Sequence, residues 1–224
     1  MATEILAPVE PRVFIVIGGG GDTLDNFAGK LQPPLVRAFG PQTIFRFIHG
    51  QWSDKKESAE RKRERVFDGL SQTVDEHGRI DGLLAISMGV ALSVNAATSH
   101  KNKILDKIGT FGLISGIVRP PERWSRWQKA AIRIYPALYP TVEEAADRGL
   151  DDLQPRIKTG DVLTARGQFD IKVSPELSTV AGANNIVVYT PIIDLVRSHS
   201  LNIRRAVHLP ELHGHFRRRT TAAA

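Results

Sequence analysis

Three residues of this sequence have the types and the order that nucleophilic attack on a carbonyl requires: Ser87, Asp170 and His215. A serine hydroxyl is a weak nucleophile until a base takes its proton. The base in turn works best when a carboxylate fixes its tautomer and steadies the imidazolium. Ser87 follows the apolar run Leu83-Leu-Ala-Ile86 directly, and small apolar residues follow it at Val90, Ala91, Leu92, Val94, Ala96 and Ala97. A buried strand, one polar residue and a helix with almost no loop between them form a nucleophile elbow. That turn strains its central residue, so the positions two before and two after must be small, as Ala85 and Gly89 are. The N–H of Met88 then faces the reacting centre from the first turn of a helix, where the dipole favours negative charge. The plainer alternative is a serine that caps a helix after a core strand.

A developing oxyanion needs a second donor, and the first strand supplies a candidate. Val13-Phe-Ile-Val-Ile17 runs into Gly18-Gly-Gly-Gly-Asp-Thr23, a loop whose backbone can approach a ligand closely. Gly19 or Gly20 is expected to join Met88 in an oxyanion hole. A dinucleotide fingerprint would need a third glycine where Thr23 stands, and a Walker loop would need Gly-Lys-Ser/Thr, which Lys30 does not provide.

These residues must be positioned by a sheet. Apolar runs at 43–48, 108–114, 161–166 and 185–189 read as further strands, and 204–209 as a last one. A helix broken by Pro33-Pro34 is expected over 27–39, and a long one over 54–76, where Val66, Leu70 and Val74 form a narrow apolar stripe. Strands alternating with helices call for an α/β chain with a mostly parallel, doubly wound sheet. The stretch 119–158 differs: it gathers Trp124, Trp127, Tyr135 and Tyr139 among prolines, and is expected to be a helical lid whose aromatics bind substrate. A core-packing helical pair is the alternative.

Gly-rich loop, serine, acid and late histidine is the chain order of α/β-hydrolases. More narrowly, the chain resembles the family-of-serine-hydrolases (FSH) esterases. The resembling stretches are Phe67-Asp-Gly69, Ile80 to Gly89, Phe111 to Gly116 with Arg119-Pro-Pro121, Gly167-x-x-Asp170 with Pro175-Glu176, and Gly214-His-Phe216. The resemblance implies a serine esterase whose Ser, Asp and His fall on Ser87, Asp170 and His215. Asp170 and His215 lie 45 residues apart, whereas His199 follows Asp170 by 29. Asp194 and His199 therefore stand second for acid and base.

The totals bound the rest. A chain of 224 residues reads as one domain, with a frayed tail at 217–224. It has no Cys, so disulfides, thiolate metal sites and a Cys nucleophile are excluded. No signal peptide or bilayer-spanning run is visible, and a cytoplasmic protein without a membrane partner is expected. The net charge of +6 is concentrated in Arg61-Lys-Arg63 with Arg65 and in Arg217-Arg-Arg219, without interleaved aromatics, so no nucleic-acid partner is expected. No cofactor or metal is expected, and the partner is a small-molecule ester or thioester. The competing function is a small-molecule-binding protein on the same fold that has lost catalysis.

Overall fold

The computed structural model describes residues 11–19, 24–99, 104–120, 122, 124–168, 170, 172–189 and 198–217. Six parallel strands make one sheet: β1 (Val13–Ile17), β2 (Ile44–Ile48), β3 (Ile80–Ile86), β4 (Ile108–Ile114), β5 (Val162–Gly167) and β6 (Asn184–Val188). Their order across the sheet is β2-β1-β3-β4-β5-β6. Parallel pairing needs crossovers, which place helices on both faces and bury both sides of the central strands. The two-residue period of a strand divides the apolar runs accordingly. Ile15, Ile17, Leu83, Ala85, Phe111 and Leu113 face one core, and Phe14, Val16, Leu84, Ile86 and Ile114 the other.

On the first face lie α2 (Ala59–His77), α3 (Gly89–Ser99), α5 (Leu138–Glu144), a π-helical turn (Ala145–Gly149) and α6 (Leu150–Lys158). α3 is buried from Gly89 to Thr98 because the neighbouring helices cover the side that the sheet leaves open, which suits its small apolar sequence. The other face carries α1 (Leu24–Phe39), α8 (Ser198–Val207) and α9 (Pro210–Arg217). Two short helices complete the order, α4 (Arg126–Ile134) and α7 (Pro175–Ser178).

Two expectations, on α1 and on residues 204–209, are corrected. α1 continues through Pro33 and Pro34, held by the burial of Leu31, Pro34 and Leu35 rather than by the bonds those prolines remove. Residues 204–209 are not a strand. Ile203, Ala206 and Val207 pack inward at helical spacing, with Arg204 and Arg205 exposed between them, and α8 ends at Val207. Of the stretch 119–158, the part from Leu138 onward is the crossover between β4 and β5, with Leu138, Val142, Leu150, Leu153 and Ile157 in the core. The tail 218–224 lies outside the described residues, and Arg217 ends α9.

The loop from β2 to α2 closes on a buried charge. Lys62, 1% exposed, donates to the carbonyls of Gln51 (2.6 Å) and Asp54 (3.0 Å) and to the Glu57 carboxylate (3.0 Å). These use all three ammonium protons. Arg65, and after it Lys62, hold the Glu57 carboxyl below its ordinary pKa against the opposing effect of burial. A carboxyl lowered on folding contributes stability above its unfolded pKa and loses it as pH falls through the folded one. Glu57→Gln should therefore cost about 3 kcal/mol at neutral pH, because Lys62 stays buried without its counter-charge. In denaturant titrations the gap from wild type should shrink below about pH 4. A gap of the same size at pH 3 and pH 7 would contradict this account.

Candidate active site

The C-terminal ends of the strands form one edge, and the register sets its levels. Ile86 pairs with Ile114, Ile114 with Ala165, and Ala165 with Ile186. Ile17 pairs with Ala85, so Gly19 lies level with Ser87. Ser87 is the first residue past β3, half-buried, with a φ of 54°. Its N–H donates to the Ile114 carbonyl (2.8 Å), and its own carbonyl accepts from the Val90 N–H (3.0 Å) at the start of α3. A left-handed serine between a buried strand and a buried helix is strained, and hydrogen bonds on both sides hold it there.

Close approach explains the two glycines. A Cβ on Gly19 would sit 2.7 Å from the Ser87 Cβ and 3.2 Å from its Oγ, so the backbone of the first loop lies against the serine side chain. A Cβ on Gly89 would sit 2.5 Å from the Gly18 carbonyl oxygen. The exit of β1 and the elbow are thus interlocked, with no room for either side chain. The Met88 N–H has no hydrogen-bond partner among the described residues, as befits a donor at a helix start. Gly20 lies outside the described residues.

Asp170 follows β5 by three residues at the same edge and is buried. Its Oδ1 accepts from the N–H groups of Lys172 (3.0 Å) and Val173 (3.2 Å), an Asx-type turn that fixes the carboxylate. His199 lies in the first turn of α8, the helix that follows β6. β6 runs parallel to β3, so the chain leaves it at the edge that carries Ser87 and Asp170; residues 190–197, between β6 and α8, lie outside the described residues.

His215 is placed elsewhere. It is buried on α9, with Nε2 at 3.1 Å from the Phe111 carbonyl oxygen. Phe111 pairs with Leu83, four residues before Ser87, or about 13 Å along the strand. Late in α8 the Arg205 guanidinium donates to the Tyr189 carbonyl (2.6 Å) just past β6, and α9 then carries His215 to the level of Phe111. His213 turns its Nε2 to the Val207 carbonyl oxygen (2.7 Å), and His208 is exposed after α8. Asp194 lies outside the described residues.

The aromatics of 119–158 divide. Trp124 and Tyr135 are half-buried and pack, like Met88, against the core on the α3 face. Tyr139 is 38% exposed beside Trp124, at 5.7 Å between ring centroids, and Trp127 is 57% exposed. Sequence reasoning passed over Ser115 as a plain strand end. It leaves β4 at φ 46°, level with Ser87, and its buried Oγ has no hydrogen-bond partner among the described residues. The signal was the likeness of Leu113-Ile-Ser-Gly116 to Ala85-Ile-Ser87. Ser115 differs from Ser87 in its burial and in having no helix start directly after it.

Among the described residues no group of three or more His, Asp or Glu side chains is arranged to hold a metal ion. A groove of about 540 Å³ lies between α2, α3 and the π-helical turn, lined by Arg63, Phe67, Asn95, Glu144, Arg148 and Asp152. Ser87 does not line it.

No family model matches the sequence, and no curated protein sequence does. Solved structures do match. A thermostable esterase from Pseudomonas putida superposes with a TM-score of 0.58 at 15% identity, covering 95% of this chain and 77% of its own. The Francisella virulence factor BioJ gives 0.60 at 11% identity, covering 96% and 79%. A bromoperoxidase from Bacillus anthracis gives 0.54 at 12% identity, covering 92% and 91%. At such identities the likeness is one of fold, and the narrower FSH resemblance rests on the residues that carry it.

Proposed function

We propose that this chain, which has the α/β-hydrolase fold, is a serine hydrolase that cleaves a carboxylic ester or thioester of a small apolar substrate. The observation that carries the reading is the elbow: Ser87 at φ 54°, between a buried strand and a buried helix, with the Gly19 backbone against its side chain. In this reading the Ser87 Oγ attacks the substrate carbonyl carbon while the base takes its proton. The oxyanion forms beside the N–H of Met88 and a backbone N–H of the glycine loop, Gly19 or Gly20. Collapse breaks the bond to the alkoxide or thiolate, which leaves with that proton, and water then releases the acid from the acyl-enzyme by the same steps.

The acid is Asp170, whose Oδ1 is held by two backbone donors at the right edge. The base is His199 in place of His215. His199 comes soon after β6, which ends at the edge of Ser87 and Asp170, and its spacing of 29 residues from Asp170 suits the role. The imidazole of His215 is instead engaged with Phe111, four residues below that edge. Met88, Trp124 and Tyr135 are the apolar wall for the acyl group, since all three are partly exposed and pack on the same core.

A fluorophosphonate probe tests the reading. It should label the wild-type protein once, on the peptide that contains Ser87, with loss of label on prior heating. Absence of label on folded protein would overturn the hydrolase reading in favour of a binding protein that does no chemistry.

A further inference from the structure

α4 presents three stripes at i, i+3, i+7 spacing, and only one of them is used by the fold. Gln128, Ala131, Ile132 and Tyr135 turn toward the protein. A capping box closes the start of the helix: the Ser125 Oγ accepts from the Gln128 N–H (3.3 Å), and the buried Gln128 Oε1 accepts from the Ser125 N–H (2.8 Å). One residue round the helix, Trp127, Ala130 and Ile134 form a second apolar stripe that faces solvent. Trp127 is 57% and Ile134 48% exposed. A tryptophan and an isoleucine on one stripe, two turns apart and both in water, leave out the burial that such side chains ordinarily contribute.

Beside that stripe run Arg126, Lys129 and Arg133, all exposed. None of them has an ion pair or hydrogen bond among the described residues. The contrast with α2 is direct. There Arg61 meets Glu64, Lys62 and Arg65 meet Glu57, and Arg63 meets Glu144. The cations of α2 belong to the fold's own charge pairing, while those of α4 have no such partner among the described residues.

We propose that α4 docks this protein on an anionic lipid surface. An outward apolar stripe with Trp, flanked by unpaired Lys and Arg on a helix lying along the surface, is the arrangement by which an interfacial helix seats its apolar side chains below the headgroups and pairs its cations with them. The charge of the stripe selects this occupant over a neutral bilayer. No spanning segment is needed for such contact, and no helix of the described residues is long and apolar enough to cross a membrane. The proposal stands apart from the hydrolase reading, because docking is measured without turnover.

Co-sedimentation with vesicles of phosphatidylcholine alone and of phosphatidylcholine mixed with phosphatidylserine provides the test. The wild-type protein should pellet with the mixed vesicles, stay largely in solution with the neutral ones, and be released by salt. Lys129→Glu with Arg133→Glu should weaken binding by at least about 25-fold, roughly fivefold for each cation removed. Trp127→Ser with Ile134→Ser should lower it as well and abolish the blue shift of tryptophan emission on vesicle addition. These side chains are exposed, so both variants should melt with the wild type, and the salt titration needs no variant at all. Wild-type protein that stays in solution with both vesicles, or binding that ignores salt and both pairs of substitutions, would overturn the proposal.

Discussion

Ser87→Ala should lower kcat/KM toward an activated ester by at least about four orders of magnitude while leaving the protein folded. The size follows from the role. Without the nucleophile the base has no hydroxyl to activate, and only binding and the oxyanion donors remain to favour hydrolysis by water. The unchanged fold follows from the elbow. Alanine keeps the Cβ that packs against Gly19, and the φ of 54° costs alanine about what it costs serine. The Ser87 backbone bonds to Ile114 and Val90 involve no side-chain atom. Thermal melts of the two proteins should therefore agree within a few degrees, and fluorophosphonate labelling should vanish. A variant that hydrolyses ester at the wild-type rate would move the chemistry to another residue.

The second large effect separates the two histidines. His199→Ala should lower kcat by at least about three orders of magnitude, with little change in melting temperature. His215→Ala should do the reverse. It removes a buried ring that faces the Phe111 carbonyl and packs beside Phe216, at 5.5 Å between ring centroids. The loss of that contact should cost about 1–3 kcal/mol, seen as a fall of a few degrees in melting temperature, with kcat near wild type. Activity lost on His215→Ala but kept on His199→Ala would mean that α9 leaves the Phe111 strand to reach the edge. The paired measurement reads rate and stability together, so a merely misfolded variant is recognised as such.

The elbow was legible because its determinants are neighbours in the chain. An apolar run, a serine and small residues at 85 and 89 specify strand, strained turn and helix with little help from elsewhere. The same holds for the strands, whose continuous apolar runs reflect a parallel sheet covered on both faces. That Gly19 lies against Ser87 could be expected only in outline, since the contact depends on β1 and β3 being adjacent, and adjacency is a property of the sheet. Where the late histidines fall in the fold was beyond reach for a related reason. His199 and His215 are both late and both plausible by type, and reading residues 204–209 as a strand hid the helix that separates them. α4 shows the limit most plainly. Its sequence announces two apolar stripes, and nothing local says which is buried. Packing turns the stripe of Gln128, Ala131 and Ile132 inward and leaves Trp127 and Ile134 in water, because a helix can present only one side to a core.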